Sequence, residues 1–325
     1  TQHISEPKVS KDEKYSEILT AVYSDVDNFT SLAISHDGSC LYVGHDEYVY
    51  AVDDEGDIDE YPCGIGIFEV TKEKDRLDYD YSLYQRNSIM YKFYRHNISK
   101  ISLSKDGRFL AAACNNKVEV YHGKGYFFKH YTTFNGHKDK VTSVFVDSDK
   151  KIVISSSLDG LIKIWDLEGK KCKTLAGHKG PVRAIAYNQQ NKLLISGGDD
   201  GTIKTWDIES GRYKETIHTH CPIGALVLSP NGQMFAVSSL DNTITLWSLE
   251  NDKFSIKLHW KCGTVNAMAF TPDNSKFAYG EDNRIKVYDL TSMKEIQTLS
   301  GHVNKVESIA FSPDGQIMYS CSVDA

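Results

Sequence analysis

The chain has 325 residues, 40% of them hydrophobic and 25% charged, with a formal net charge of −7. This is the composition of a globular protein with room for a sizeable core, and it excludes a disordered, low-hydrophobicity chain. No apolar run approaches the roughly 20 residues of a membrane-crossing helix, so no membrane partner is expected.

The chain opens TQHISEPKVS, without a basic-then-apolar leader. Its seven cysteines, Cys40, Cys63, Cys114, Cys172, Cys221, Cys262 and Cys321, stand singly with no CxxC pair. That usage predicts free thiols and an intracellular setting, cytoplasm or nucleus alike.

Residues 1–29 read as an N-terminal arm containing one alternating run, Ile18 to Tyr23. From Tyr15 to Thr71 there are thirteen acids and no Lys or Arg, so the rest of the chain is net positive. The acids concentrate in DDEGDIDE, residues 53–60. This stretch is either a solvated loop or a docking site for a basic partner, and in both cases it repels nucleic acid. Two readings of the next segment compete. Ile65 to Val70 is similar to Ile162 to Leu167, which makes it a third strand after an enlarged loop. Alternatively, Tyr48 to Val52 is the third strand and all that follows to Asn87 is an outer insertion. Tyr79, Tyr81, Tyr84, Tyr91 and Tyr94 then either pack on an outer strand or form a Tyr-rich contact surface.

Beyond about residue 96 the chain repeats itself. Trp165, Trp206, Trp247 and Tyr288 are each 41 residues apart, and each follows an acid by six: Asp159, Asp200, Asp241 and Asp282. A fixed period of this length signals a repeat architecture. Each unit reads as four short strands, such as Val141–Val146, Lys151–Ser155, Leu161–Trp165 and Lys171–Leu175. β-Branched residues fill the runs, and SDK, LDG, LEG and AGH supply the turns. A single four-stranded meander cannot bury both faces, so copies must pack face to face about an axis.

Gly136-His137…Trp165-Asp166, Gly177-His178…Trp206-Asp207 and Gly301-His302…Asp324 resemble WD repeats. Worn units at Ile223–Leu249 and Val265–Leu290, with S-x-D-G turns within Thr30–Val52 and Ser99–Tyr121, raise the number to seven. The resemblance covers nearly the whole chain. It implies an all-β, seven-bladed WD-repeat β-propeller over residues 30–325, with regular repeats over about 96–325. Blade 1 would carry an insertion at about 46–95, and the last blade would be truncated by the end of the chain. An outer strand from Ile18–Tyr23 would close the ring and remove an open edge.

The resemblance further implies a hydrogen-bonded set within each good blade. These sets are His137, Ser155, Asp159 and Trp165; His178, Ser196, Asp200 and Trp206; and His302, Ser320 and Asp324. A Ser/His/Asp grouping invites comparison with a hydrolase triad, but a buried imidazole and indole need such partners for structural reasons. No catalytic residue, enzyme activity or cofactor is therefore expected. His218, His220 and Cys221 align with His259 and Cys262 on adjacent units. They are either donors for a tetrahedral zinc or worn Gly-His turns with thiols acting as small hydrophobes, and no metal site is expected. Gly123-Lys-Gly125 lacks the spacing of a nucleotide loop.

In a propeller, the loops before each innermost strand and between strands two and three converge on one narrow face, and WD-repeat proteins often bind partners there. Strand alternation points Lys140, Leu158, Pro181, Arg183, Asp199, Pro222, Leu240, Asn266, Glu281 and Lys305 toward it. The expected function is a non-enzymatic scaffold for protein–protein interactions within a multiprotein complex. The alternative is a subunit of an RNA–protein assembly, such as a ribosome-maturation particle, with later blades touching RNA.

Overall fold

The structure, a computed structural model, describes residues 29–45, 49–52, 58–61, 65–69, 98–125, 127–168, 171–190, 192–250 and 253–322. The Ile18–Tyr23 strand, the acids at 53–57, the tyrosines between 79 and 94, and Val323 and Asp324 lie outside the described residues. Among the described residues every regular element is a strand.

Blade 1 contributes β1 (Phe29–Ile34), β2 (Cys40–His45), β3 (Val49–Val52), β4 (Ile58–Tyr61) and β5 (Ile65–Glu69). β2 pairs with β1 and β5, while β3 pairs only with β4. Ile65–Glu69 is therefore the third strand, and β3 and β4 form an antiparallel pair set into the connection that precedes it. The competing reading, with Tyr48–Val52 as the third strand, is corrected by this pairing.

Blade 2 is β6 (Ile98–Leu103), β7 (Phe109–Cys114), β8 (Lys117–Lys124) and β9 (Phe127–Asn135). Blade 3 is β10 (Val141–Asp147), β11 (Ile152–Ser157), β12 (Leu161–Asp166) and β13 (Cys172–Ala176). Blade 4 is β14 (Val182–Asn188), β15 (Leu193–Gly198), β16 (Thr202–Asp207) and β17 (Arg212–His218). Blade 5 is β18 (Ile223–Leu228), β19 (Met234–Ser239), β20 (Thr243–Glu250) and β21 (Lys253–Lys261). Blade 6 is β22 (Met268–Phe270), β23 (Lys276–Glu281), β24 (Arg284–Asp289) and β25 (Lys294–Ser300), and the described part of blade 7 is β26 (Val306–Phe311) and β27 (Met318–Ser322). Each of blades 2 to 6 is an antiparallel meander in chain order.

The innermost strands β1, β6, β10, β14, β18, β22 and β26 neighbour one another in that order, and β26 returns to β1. The wheel is closed. Hydroxyls stitch successive blades by accepting edge amides of the inner strands: Ile101 N–H donates to Ser31 Oγ, Val146 N–H to Ser102 Oγ, and Leu32 N–H to Ser308 Oγ, each at 3.2 Å. A lone sheet edge would leave those amides unpaired.

Blade-to-blade packing explains why the sequence must repeat. Val141, Val182, Ile223 and Val306, each the first residue of its inner strand, are almost wholly buried. Each presses on the second strand of the preceding blade, which must be small there. A Cβ on Gly197 would stand 2.5 Å from Ile223 Cγ2, and one on Gly280 would stand 2.6 Å from Val306 Cβ. At the opposite end of the wheel, S-x-D turns bend the first strand into the second. Asp273 takes hydrogen bonds from Thr271 Oγ1 at 2.6 Å and from Ser275 N–H at 3.0 Å, and these two partners hold its carboxyl down to about 2.

Candidate functional site

In blade 3 the imidazole of His137 lies between Asp159 Oδ2, 2.9 Å from Nδ1, and Ser155 Oγ, 2.8 Å from Nε2. Trp165 Nε1–H donates to the same Ser155 Oγ at 2.8 Å. The network assigns the proton to Nδ1, so that Ser155 receives from the indole and donates to the ring. Blade 4 repeats this with His178–Asp200 at 3.0 Å, His178–Ser196 at 2.7 Å and Trp206–Ser196 at 2.7 Å. Burial pushes both imidazoles below their ordinary pKa, against the opposing pull of Asp159 and Asp200. Burial also works to raise Asp159, but the Lys138 amide, His137 and the Leu161 amide together hold it low. The Ser Oγ is thus saturated, and Trp206 covers it at 1% exposure. In blade 7, His302 Nε2 lies 2.8 Å from Ser320 Oγ.

Blades 5 and 6 replace this set, each differently. In blade 5, Thr219 stands where His178 stands in blade 4. Its hydroxyl reaches the carbonyls of Gly201 and Cys221 at 2.9 and 3.0 Å. The Trp247 indole N–H is buried without a hydrogen-bond partner, because Val237 takes the serine position. In blade 6, Tyr279 takes that position and Trp260 enters from β21, the outer strand of blade 5. Trp260 Nε1–H donates to Tyr279 OH at 3.1 Å, and the indole stacks on Tyr288 at 5.2 Å between ring centroids. Sequence reasoning missed this trio. Its signal was a Trp in the Gly slot of the worn Gly-His turn.

The metal-like residues disperse. Cys221 Sγ donates to Asp241 Oδ2 at 3.2 Å, His259 Nδ1 sits 2.8 Å from Thr245 Oγ1, and Cys262 Sγ reaches Asn242 O at 3.6 Å. Among the described residues no group of three or more His, Cys, Asp or Glu is arranged to hold a metal. Burial, followed by Glu281, pushes the Cys262 thiol up to about 11.

At the narrow face one backbone bond recurs and pairs the candidate residues. Leu158 N–H donates to Lys140 O at 3.0 Å, Asp199 N–H to Pro181 O at 2.9 Å, and Leu240 N–H to Pro222 O at 2.9 Å. Arg183, the second residue of β14, clamps Asp199 bidentately, Nε to Oδ1 at 2.7 Å and Nη2 to Oδ2 at 2.9 Å. Pro181, Arg183 and Asp199 are therefore tied into one unit, and Pro222 with Leu240, 59% exposed, forms the equivalent pair of the next blade. Asn266 Nδ2–H donates to Glu307 Oε1 at 2.9 Å, which ties blade 6 to blade 7. Glu281 holds its own loop, by Lys286 at 2.7 Å and the Gly263 amide at 2.8 Å. Lys140 and Lys305 are exposed and Leu158 is half-buried. Lys100 escaped sequence reasoning. It stands on β6 where other inner strands carry Ser31, Ser143, Ala184, Ala225 and Ser308, and burial pushes its ammonium down against the pull of Cys321 and Glu307.

Comparison with known proteins adds two findings. The family model described as WD domain, G-beta repeat matches residues 87–122, 128–166, 169–207, 211–248, 252–289 and 293–325. The chain is also similar to target of rapamycin complex subunit LST8-1 of Arabidopsis thaliana, 30% identical over 77 residues, 24% of this chain and 25% of that protein. It is similar to target of rapamycin complex subunit wat1 of Schizosaccharomyces pombe, 36% identical over 70 residues, 22% of each chain. Target of rapamycin complex subunit LST8 of Saccharomyces cerevisiae is 31% identical over 70 residues, 22% of this chain and 23% of that protein. These matches therefore span a quarter or less of the length of each relative.

Proposed function

Because the chain belongs to the WD-repeat family, we propose that it is a non-catalytic scaffold subunit of a multiprotein complex, of the target of rapamycin kind named for its relatives. The observation that carries this is the clamped unit Pro181–Arg183–Asp199 beside exposed Leu240. It offers a partner an apolar anchor next to a fixed, charged, directional contact, the mixture found in interface hot spots. The backbone bonds beneath it hold the rim before any partner arrives, so docking loses little entropy. Asp and His of the tetrads serve the rim by fixing its turns, and their oxygens and nitrogens are already spoken for. The pair of β3 and β4 leaves blade 1 from the same end of the wheel, which suits a basic partner segment for the acidic sequence 53–60. Cysteines scattered singly along the sequence accord with an intracellular setting.

Co-expression with a target of rapamycin protein tests this reading. Wild-type chain should co-purify with it, and Leu240→Asp and Arg183→Glu should not, while circular dichroism stays unchanged. Failure of the wild type to co-purify removes the complex assignment. RNA binding that weakens steeply with salt would point to the ribonucleoprotein role instead.

A further inference from the structure

The other end of blade 2 carries a feature that the scaffold reading does not use. β8 and β9 run for 8 and 9 residues, as β20 and β21 do in blade 5, against 6 and 5 for β12 and β13. The extra length lies beyond the His122–Lys129 pair, where Gly123 faces Phe128 and Lys124 faces Phe127. The hairpin therefore ends in a projecting tip. Phe127 is 82% exposed at that tip. Its neighbour Phe128 is buried edge-on against Tyr42 at 5.9 Å, and Tyr42 OH donates to Gly125 O at 3.1 Å, so blade 1 holds the tip in place.

Exposed cations stand on the same hairpin and on the turn bonded to it. Lys124 and Lys129 are exposed on the hairpin itself. Gly123 N–H donates to Arg108 O at 2.8 Å, which brings the β6–β7 turn, with exposed Lys105 and Arg108, alongside. Two acids of these turns are engaged internally. Asp106 is held by Ser104 Oγ at 2.5 Å and the Arg108 amide at 3.1 Å, and Glu119 accepts from Tyr121 OH.

We propose that this tip is a peripheral docking knob for an anionic lipid surface. The apolar group it offers is the exposed ring of Phe127 at the end of a hairpin, a shape that a deformable headgroup layer receives without a preformed pocket. Four exposed cations within two hydrogen-bonded turns supply the electrostatic half of the contact. These two turns lie at the end of the wheel opposite the connection that holds β3 and β4. The lack of a spanning apolar run does not bear on such a contact, which needs only one inserted side chain and a basic rim.

Sedimentation of the full chain with vesicles tests the proposal, comparing pure phosphatidylcholine with a mixture holding about 30% phosphatidylserine at low and high salt. The chain should pellet with the phosphatidylserine vesicles at low salt only. Phe127→Ser should weaken this at least about fivefold, and Lys124→Glu with Lys129→Glu should abolish it. Arg183→Ala, at the other end of the wheel, should leave it unchanged, which separates this site from the scaffold face. No pelleting with phosphatidylserine would assign the knob to a protein pocket and overturn the proposal. So would equal pelleting with both vesicles, or wild-type behaviour of Phe127→Ser.

Discussion

Replacing Trp206 and Trp247 by Phe in separate chains should give unequal losses of stability, although the trimmed ring is the same. The Trp206 indole N–H donates to Ser196 Oγ at 2.7 Å, and losing a buried hydrogen bond costs about 1 kcal/mol net. The Trp247 N–H is buried without a partner, a condition that itself costs about 1–3 kcal/mol and that Phe relieves. The common packing term cancels between the two. Trp206→Phe should therefore be less stable than Trp247→Phe by about 2–4 kcal/mol. Urea unfolding followed by circular dichroism reads this difference in the midpoints, provided the slopes agree. Equal midpoints, or a larger loss in Trp247→Phe, would refute the idea that the tetrad bonds set the energetics of these blades.

Trp206→Ala, a truncation of a fully buried ring, should cost roughly 3–5 kcal/mol in the same assay. Gly197→Val should overpack the joint between blades 4 and 5 and cost at least about 1–3 kcal/mol, because Ile223 leaves no room for a Cβ. Arg183→Ala should change stability by less than about 1 kcal/mol, since the Arg183–Asp199 pair is partly solvated, while abolishing partner binding. Stability should fall as pH drops below about 6.5, the unfolded value for histidine. The folded His137 and His178 lie below that value, so the unfolded chain binds more protons between the two. Thermal melts from neutral to mildly acidic pH should show this slope, shallower in His178→Gln. A flat profile would remove the assignment of buried neutral imidazoles.

The period of the blades was legible because it is carried by local chemistry. Strand alternation, Asp-Gly turns and S-x-D turns act within a few residues, and β10 to β13 fall within one or two residues of the expected runs. Blade 1 was ambiguous because two β-rich runs, Tyr48–Val52 and Ile65–Val70, both suited the third-strand place. Only cross-strand pairing with Cys40–His45 decides between them. The rim pairs Lys140 with Leu158 and Pro181 with Asp199 follow from strand period. The Arg183–Asp199 clamp and the Trp260–Tyr279–Tyr288 trio do not, because they depend on distances between elements that no local pattern encodes.

The trio on blade 6 limits how freely the wheel can be rebuilt. Its indole is lent by the neighbouring meander, so blade 6 is not a cassette that can be moved without blade 5. A chain with blade 4 grafted into the fifth position would strand Tyr279 and Tyr288 beside a vacancy the size of an indole. Lineages that shuffle or duplicate such units would have to move these two together or relearn a core.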